Sequence, residues 1–251
     1  MFFENAVEGY EYSGRGTCFL CRYRGHDFIV TVEHVVREFA ADSIRVLYYE
    51  TARDFVPHNA QATIRADADD RSEDDDWRDL AIFPLERSLY TDDQFADQPP
   101  YPIPAPGHVW QPGMAGHFIM RGYLNQPSPV DYDAKVLRQQ PVILEADYAG
   151  PSPMKLCHQM RFRDLTHCAA FDDPENKLDG VSGAPVFWLG ETEPRDHRFA
   201  GVAVRATYAG GMGHFIHGSV VLAALEKVLA GGQASGPTRP PVGSAGEPVR
   251  T

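Results

Sequence analysis

A serine surrounded by a turn of small residues is the first candidate for chemistry in this sequence. Ser182 lies in the run Gly180-Val181-Ser182-Gly183, and an apolar stretch follows it at 186–188. A serine hydroxyl is a weak nucleophile until a base activates it, and its reaction needs donors for the negative charge on the attacked oxygen. Gly180 permits a backbone conformation in which the amides of Gly180 and Ser182 point into one small space. The segment therefore indicates a nucleophile beside an oxyanion hole.

A histidine and an aspartate upstream are candidates for the base and its support. His34 follows an apolar stretch, just before a predicted short helical turn, so rigid structure would hold its ring towards a cleft. Asp79 stands at the head of the apolar run 80–85. Burial of a carboxylate there is costly unless a donor such as an imidazole satisfies it. We therefore interpret Asp79 as the partner of His34.

The elements that must position these side chains are mostly predicted β-strands. The pattern of 14–30 predicts two strands around a turn at 25–27, and the prolines at 98–107 exclude a central strand or a helix there. Apolar periodicity predicts one helix, over 219–230. Further strands are predicted at 44–49, 61–66, 116–123, 134–148, 155–163, 165–171, 186–188 and 199–206.

Taken in order, the three motifs resemble those of the chymotrypsin/trypsin-like serine peptidases. They are Thr-Val-Glu-His34-Val-Val, Arg-Asp79-Leu-Ala-Ile and Gly-Val-Ser182-Gly-Ala-Pro, and the resemblance extends over roughly 14–230. It implies an all-β fold of two six-stranded Greek-key β-barrels with a C-terminal α-helix.

The division into domains follows from this resemblance and from the composition. We predict an N-terminal β-barrel at 1–98 and a proline-rich connector at 99–112. A C-terminal β-barrel with the helix would occupy 113–230, and a disordered tail rich in Gly, Pro and Ser would occupy 231–251. His34 and Asp79 belong to the first barrel and Ser182 to the second.

The resemblance also implies an activity, that of a serine endopeptidase acting on a protein or peptide. Ser182 would attack the scissile carbonyl, His34 would transfer the proton, and Asp79 would fix the imidazole. The amides of Gly180 and Ser182 would form the oxyanion hole. The strand edge 202–206 would pair with the substrate, and the predicted substrate-binding residues are Asn176, Val204, Arg205 and Ala206.

Departures from the family pattern modify this expectation. Many secreted members carry an aspartate before the serine that binds a new N-terminal amine after activation cleavage. Val181 stands there, so we expect a non-zymogen member of the bacterial type. Glu33 replaces a small residue before the histidine and is expected to face solvent. Asn176, six residues before the serine, is neutral and does not favour cleavage after Lys or Arg, although Asp172, Asp173 and Glu175 lie close to it.

Composition limits the partners and the compartment. The chain of 251 residues has a net charge of −12, which argues against nucleic acid and anionic lipid, and no apolar run predicts a membrane span. Four cysteines are too few for a disulfide scaffold, so we expect free thiols and a cytoplasmic protein. Active without a zymogen step, the peptidase would need a restraint, either a misarranged oxyanion turn or an activating or inhibiting protein partner.

We predict no cofactor and no metal, although three metal sites stay open as alternatives. The acidic run 67–76 has carboxylates that suit calcium, yet its spacing is not that of an EF-hand. Cys18 and Cys21 have a zinc-knuckle spacing, but residues three apart on a strand face opposite sides. Zinc is also conceivable between the pairs Cys157-His158 and His167-Cys168.

Two other functions remain alternatives. An α/β-hydrolase requires a glycine two residues after the serine and a helix beyond, where this chain has Ala184 and then a predicted strand. A trypsin-like fold with little or no turnover, serving as a binding or regulatory module, is compatible with the same residues. Labelling by a fluorophosphonate would distinguish the module from the enzyme.

Overall fold

The computed structural model describes most of the chain, with gaps. The described residues are 1–4, 12–39, 43–47, 51–52, 55–56, 79–85, 99–103, 106–125, 130–131, 136–138, 140–153, 156–166, 168, 178–191 and 196–234. The predicted strand at 61–66, the acidic run 67–76, Asn176, His167 and most of the predicted tail lie outside them.

The described part contains seventeen strands, two α-helices and a 3-10 helix at Pro106–His108. The strands of the first half are β1 (Phe2–Glu4), β2 (Tyr12–Gly14), β3 (Phe19–Tyr23), β4 (His26–Thr31), β5 (Ile44–Leu47), β6 (Thr51–Ala52), β7 (Phe55–Val56) and β8 (Ala81–Pro84). Those that follow are β9 (Tyr101–Pro102), β10 (Gly116–Leu124), β11 (Val130–Asp131), β12 (Val136–Arg138), β13 (Gln140–Pro151), β14 (Cys157–Phe162), β15 (Pro185–Gly190), β16 (His197–Thr207) and β17 (Met212–His217). The helices are α1 (Glu33–Val36) and α2 (Gly218–Ala234).

A closed antiparallel barrel is formed by the six long strands of the second half. Its order is β10-β13-β14-β17-β16-β15, and β15 pairs back onto β10. Alternation explains which side chains fill it, since Val142, Leu144 and Ala146 of β13 are buried while Ile143 and Glu145 between them are exposed. The barrel is filled by an apolar cluster that includes large side chains of four strands, Phe118, Met160, Trp188 and Phe215.

The described strands of the first half form separate sheets. One has the order β8-β4-β3-β9, and another has the order β2-β1-β5-β7. A second closed barrel, which the resemblance implied, is therefore not seen within the described ranges. The mostly β architecture, with one closed six-stranded barrel and one long helix, is confirmed.

The hairpin that leads to His34 turns earlier than the sequence indicated. Tyr23 pairs with His26, so the loop is Arg24-Gly25 rather than 25–27. Both loop residues have positive φ, 48° and 80°, as the type I′ turn of a two-residue hairpin requires. β9 lies within the proline-rich segment and is an edge strand of two residues beside β3, a position that tolerates proline.

Two further boundaries differ from the sequence predictions. The strand predicted at 165–171 is wrong for the residues described there, because Thr166 and Cys168 lie in 3-10 turns and Cys168 N donates to Leu165 O at 2.9 Å. The helix predicted to end at 230 continues to Ala234, so the first four residues of the predicted tail are helical. None of the helices in the described ranges has the length and apolar composition needed to span a bilayer.

A pair of histidines, the buried His217 and the half-buried His158, lies where the barrel meets α2. His217 Nδ1 accepts from the amide of Ser219 at 3.2 Å, and its Nε2 lies 3.0 Å from the Trp110 carbonyl oxygen, to which it donates. The ring of His158 lies 5.2 Å from that of His217, and its Nδ1 lies 3.1 Å from the Tyr148 hydroxyl. Burial, with the adjacent His217, lowers the pKa of His158 from 6.5 to about 4, and burial also lowers the pKa of His217.

We expect His158 to make the stability of the chain depend on pH. Its folded pKa lies below the unfolded value, so the unfolded chain binds the proton first and stability is lost as the pH falls from about 6.5 to about 4. His158→Gln should remove about 2 kcal/mol of that loss, after allowance for solvent screening of the half-buried ring. Thermal unfolding midpoints between pH 4 and 7.5 measure it. His108→Gln, at an exposed ring, is the control, and an equal slope in wild type and His158→Gln would contradict the expectation.

Candidate active site

His34 is held at the junction of β4 and α1. Its backbone amide donates to Asp79 Oδ1 at 2.7 Å, and the amide of Glu33 donates to the Asp79 carbonyl oxygen at 3.4 Å. The His34 side chain is 36% exposed. The ring is therefore anchored through its backbone while part of it stays accessible to solvent.

Asp79 directly precedes Leu80 and β8, and its carboxylate is 17% exposed. Oδ2 accepts from Nδ1 of His34 in a short hydrogen bond, while Oδ1 accepts from the His34 amide. A carboxylate only accepts, so Nδ1 carries the hydrogen and Nε2 is left as the basic nitrogen of the neutral ring. The geometry can therefore present a proton acceptor to a group in front of Nε2.

Ser182 lies in a turn between Leu178 and β15. Ala184 N donates to Val181 O at 2.9 Å, and Gly183 has φ +91°, as a type II turn requires at its third residue. The Ser182 hydroxyl donates to the Val204 carbonyl oxygen at 2.8 Å. Among the hydrogen bonds of the described residues, none joins this hydroxyl to His34.

The peptides on both sides of Gly180 are oriented by partners outside the turn. Asp179 O accepts from the amide of Asn125 at 2.9 Å, and Gly180 O accepts from the Thr17 hydroxyl at 2.7 Å. In a trans peptide the N–H points away from the C=O, so the Gly180 amide points away from Asn125. Only glycine fits at 180, because φ is +99° and a Cβ would lie 2.5 Å from the Asn125 nitrogen.

The amides of Gly180 and Ser182 donate to no acceptor within the described part of the chain. The carbonyl of the peptide between Val181 and Ser182 is also hydrogen-bonded, because Val181 O accepts from the amide of Ala184. A hydrogen bond therefore fixes the direction of the Ser182 N–H as well. Two backbone donors beside the serine therefore have no partner among the described residues.

One cleft of about 470 Å³ brings the three predicted catalytic side chains together. Its walls come from α1, from the start of β8, from the serine turn and from the end of β16. The lining residues are His34, Asp79, Leu178, Asp179, Ser182, Val204, Arg205, Ala206, Thr207, Tyr208 and Ala209.

The structure narrows the predicted substrate-binding edge of β16. β15 pairs with β16 as far as Val202, which faces Pro185, and the next residue, Ala203, is hydrogen-bonded to the serine turn. These two residues of the edge predicted at 202–206 are therefore not open to a substrate. From Val204 onwards β16 lines the cleft and pairs on its other side with β17. Asn176 lies outside the described residues.

Two other expectations are changed or limited by the structure. Glu33 was expected to face solvent, but it is buried, 3% exposed, because α1 packs it inward. All four cysteines are free thiols. The described residues contain no cluster of three or more His, Cys, Asp or Glu arranged to hold a metal ion.

Thr17 and Asn125, which orient the serine turn, were not found by sequence reasoning. Both act through contacts with residues far away in the chain, and neither stands in a motif. A buried threonine just before a strand carries no distinctive signal on its own.

The fold is that of the trypsin-like serine proteases. By sequence, the chain matches no protein-family model and no curated protein. Among solved structures, an inactivated protease paralogue from the scabies mite has a TM-score of 0.53 and 12% identity, covering 86% of this chain and 93% of that one.

Two further structures have the same fold. The thermostable serine protease AL20 from an extremophilic microorganism has a TM-score of 0.50 and 14% identity, covering 89% of this chain and 92% of that one. The Vibrio cholerae VesB protease has a TM-score of 0.53 and 14% identity over 90% of this chain, which spans 62% of that protein. At such low identities the likeness establishes the fold alone.

Proposed function

We propose that this chain is a serine endopeptidase with Ser182 as nucleophile, His34 as general base and Asp79 as the residue that orients the base. The observation that carries the proposal is the pair of hydrogen bonds from His34 to Asp79 on the wall of the cleft that also contains Ser182. That pair selects the tautomer with a basic Nε2, which activation of a hydroxyl requires.

In the acylation step, the Ser182 hydroxyl leaves its hydrogen bond to Val204 O and transfers its proton to Nε2 of His34 as Oγ attacks the carbonyl carbon. The resulting imidazolium is stabilised by the Asp79 carboxylate. It then gives the proton to the leaving amine when the peptide C–N bond breaks, and an acyl group remains on Oγ. In deacylation a water molecule takes the place of the amine, and His34 returns the proton to Ser182.

The negative charge that develops on the attacked oxygen would be bound by the amides of Gly180 and Ser182. A donor of an oxyanion hole contributes about 10²–10³ in rate where one has been removed by mutation. Each N–H points away from the carbonyl of its own peptide, and that carbonyl is already hydrogen-bonded. The two donors therefore need no reorganisation during the reaction.

A peptide substrate would lie along the end of β16. The segment from Val204 to Ala206 lines the cleft beside Ser182 and offers backbone groups to an extended chain. The cleft carries charges of both signs, from Asp179 and Arg205, so its described part favours neither a strongly acidic nor a strongly basic substrate.

A fluorophosphonate probe tests the proposal directly. The full chain should take up one probe per molecule, because the probe phosphonylates a serine activated by a base. Ser182→Ala should lose all labelling, whereas Ser152→Ala, at a serine outside the cleft, should retain it. Mass spectrometry of the labelled peptide locates the adduct. Labelling that persists in Ser182→Ala would contradict the assignment.

A second candidate, a catalytically silent module, is favoured by the hydrogen bond from Ser182 to Val204 O, because the hydroxyl donates there and not to His34. One of the similar solved structures is itself an inactivated paralogue. We propose that this bond marks a resting state in which the chain reacts slowly, and that an activating protein partner would raise the rate. A folded wild-type chain that takes up no probe, alone or with substrate peptide, would support the module instead.

A further inference from the structure

All the polar atoms of Thr17 are hydrogen-bonded, and two of them, the hydroxyl and the amide, bind the serine turn. Its side chain is buried, 1% exposed, and its hydroxyl donates to Gly180 O at 2.7 Å while accepting from the amide of Tyr123 at 2.9 Å. Its own amide donates to Ser182 O at 2.8 Å, and its carbonyl oxygen accepts from the Thr31 hydroxyl at 2.7 Å. One residue thus binds the turn on both sides of Val181.

The Thr17 hydroxyl matters because the carbonyl that it binds belongs to a glycine, Gly180. Gly180 lacks a Cβ, so rotation of the peptide planes beside it meets little resistance from its own sterics. The plane between Gly180 and Val181 is bound by Thr17, and the plane before it is bound by the amide of Asn125. The Gly180 amide therefore keeps its direction only while partners outside the turn hold the neighbouring carbonyls.

We propose that the Thr17 hydroxyl is a positioning residue for the oxyanion hole. It holds the plane between Gly180 and Val181, while the Asn125 amide holds the plane that carries the Gly180 N–H. The two contacts together keep that N–H directed at the oxygen of a tetrahedral intermediate. This inference rests on the proposed peptidase function and adds to it a residue that touches neither the substrate nor the reacting atoms.

The proposal predicts different effects on substrate binding and on the chemical step. Ground-state binding along β16 does not use the Gly180 amide, so the loss of the hydroxyl should leave KM nearly unchanged. Stabilisation of the oxyanion does use it, so kcat should fall. A merely structural role would lower the amount of folded protein without separating kcat from KM.

The test compares Thr17→Val, which has nearly the same shape without the hydroxyl, with Thr17→Ser, which keeps the hydroxyl. Thr31→Val is the matched control, since it also removes one buried hydroxyl that binds a carbonyl but leaves Gly180 O bound. With the full chain and a peptide ester substrate, we expect kcat to fall about 10²-fold in Thr17→Val, with KM within about threefold of wild type. Thr17→Ser and Thr31→Val should stay within about fivefold of wild type.

A peptide aldehyde gives a second readout, because its adduct with the serine carries a tetrahedral oxyanion. Thr17→Val should bind it about 10²-fold more weakly than wild type. An unchanged kcat, an equal loss in Thr17→Ser, or a Thr17→Val chain that fails to fold while Thr17→Ser folds would each overturn the proposal. A wild-type chain that reacts with neither fluorophosphonate nor ester would overturn the peptidase function and this inference together, whereas a reactive wild type with an equally active Thr17→Val overturns the inference alone.

Discussion

Replacement of His34 by alanine should lower kcat about 10⁶-fold, to the level that binding and the oxyanion hole supply without a base. The His34 ring lines the same cleft as Ser182 and is the proposed acceptor of its proton, and Asp79 is bound to the ring. Hydrolysis of an activated peptide ester, followed over hours at high enzyme concentration, measures the residual rate.

Two controls make the His34 result specific. His108→Ala removes an exposed histidine outside the cleft and should keep wild-type activity. The double variant His34→Ala/Ser182→Ala should be no slower than either single variant, because the two residues act as one unit. Turnover of His34→Ala within about tenfold of wild type would show that His34 is not the base.

Replacement of Gly183 by alanine should have the largest effect on stability, about 4 kcal/mol or more. Gly183 has φ +91°, and a Cβ there would collide with the Thr17 carbonyl oxygen and the Thr31 hydroxyl. Neither neighbour can yield cheaply, because the first is backbone and the second is bound to it at 2.7 Å. The serine turn would have to move away from the first half of the chain. Urea unfolding followed by tryptophan fluorescence measures the change.

Gly113→Ala is the matched control for the Gly183 prediction. Its φ is +95°, almost the same, yet no atom lies within 4 Å of the position that a Cβ would take. It should therefore lose only the cost of left-handed backbone, about 1–2 kcal/mol. Equal losses in the two variants would mean that backbone conformation, not the contact with Thr17, decides the tolerance at 183.

The long strands of the second half and the helix α2 were predictable because their signals are local. Val142, Leu144 and Ala146 alternate with exposed residues, and α2 repeats its apolar positions every three or four residues. The segment after Leu165 is also rich in apolar residues, yet its described residues form 3-10 turns. Composition alone cannot separate a strand from a short buried turn.

In the candidate site, too, some residues could be predicted from the local sequence and others could not. His34, Asp79 and Ser182 stand in recognisable motifs, so their meeting in one cleft was expected. The contacts of Thr17 and Asn125 with the serine turn depend on which strands are neighbours in the fold. The periodicity of apolar residues gives no information on that order. The burial of Glu33 was also missed, since a charged residue at the start of a short helix usually faces water.

The helix at the far end of the chain completes the apolar cluster of the first strands. Val221, Leu225 and Val228 of α2 pack in one cluster with Ile29 and Phe83, and Tyr23 donates to Glu226 at 2.6 Å. A nascent chain therefore leaves the ribosome with its opening strands only partly covered, and they stay so until residue 228 has been made. Since His34 and Asp79 depend on those strands for their position, a growing polypeptide cannot hold this pair firmly in place before the helix has emerged.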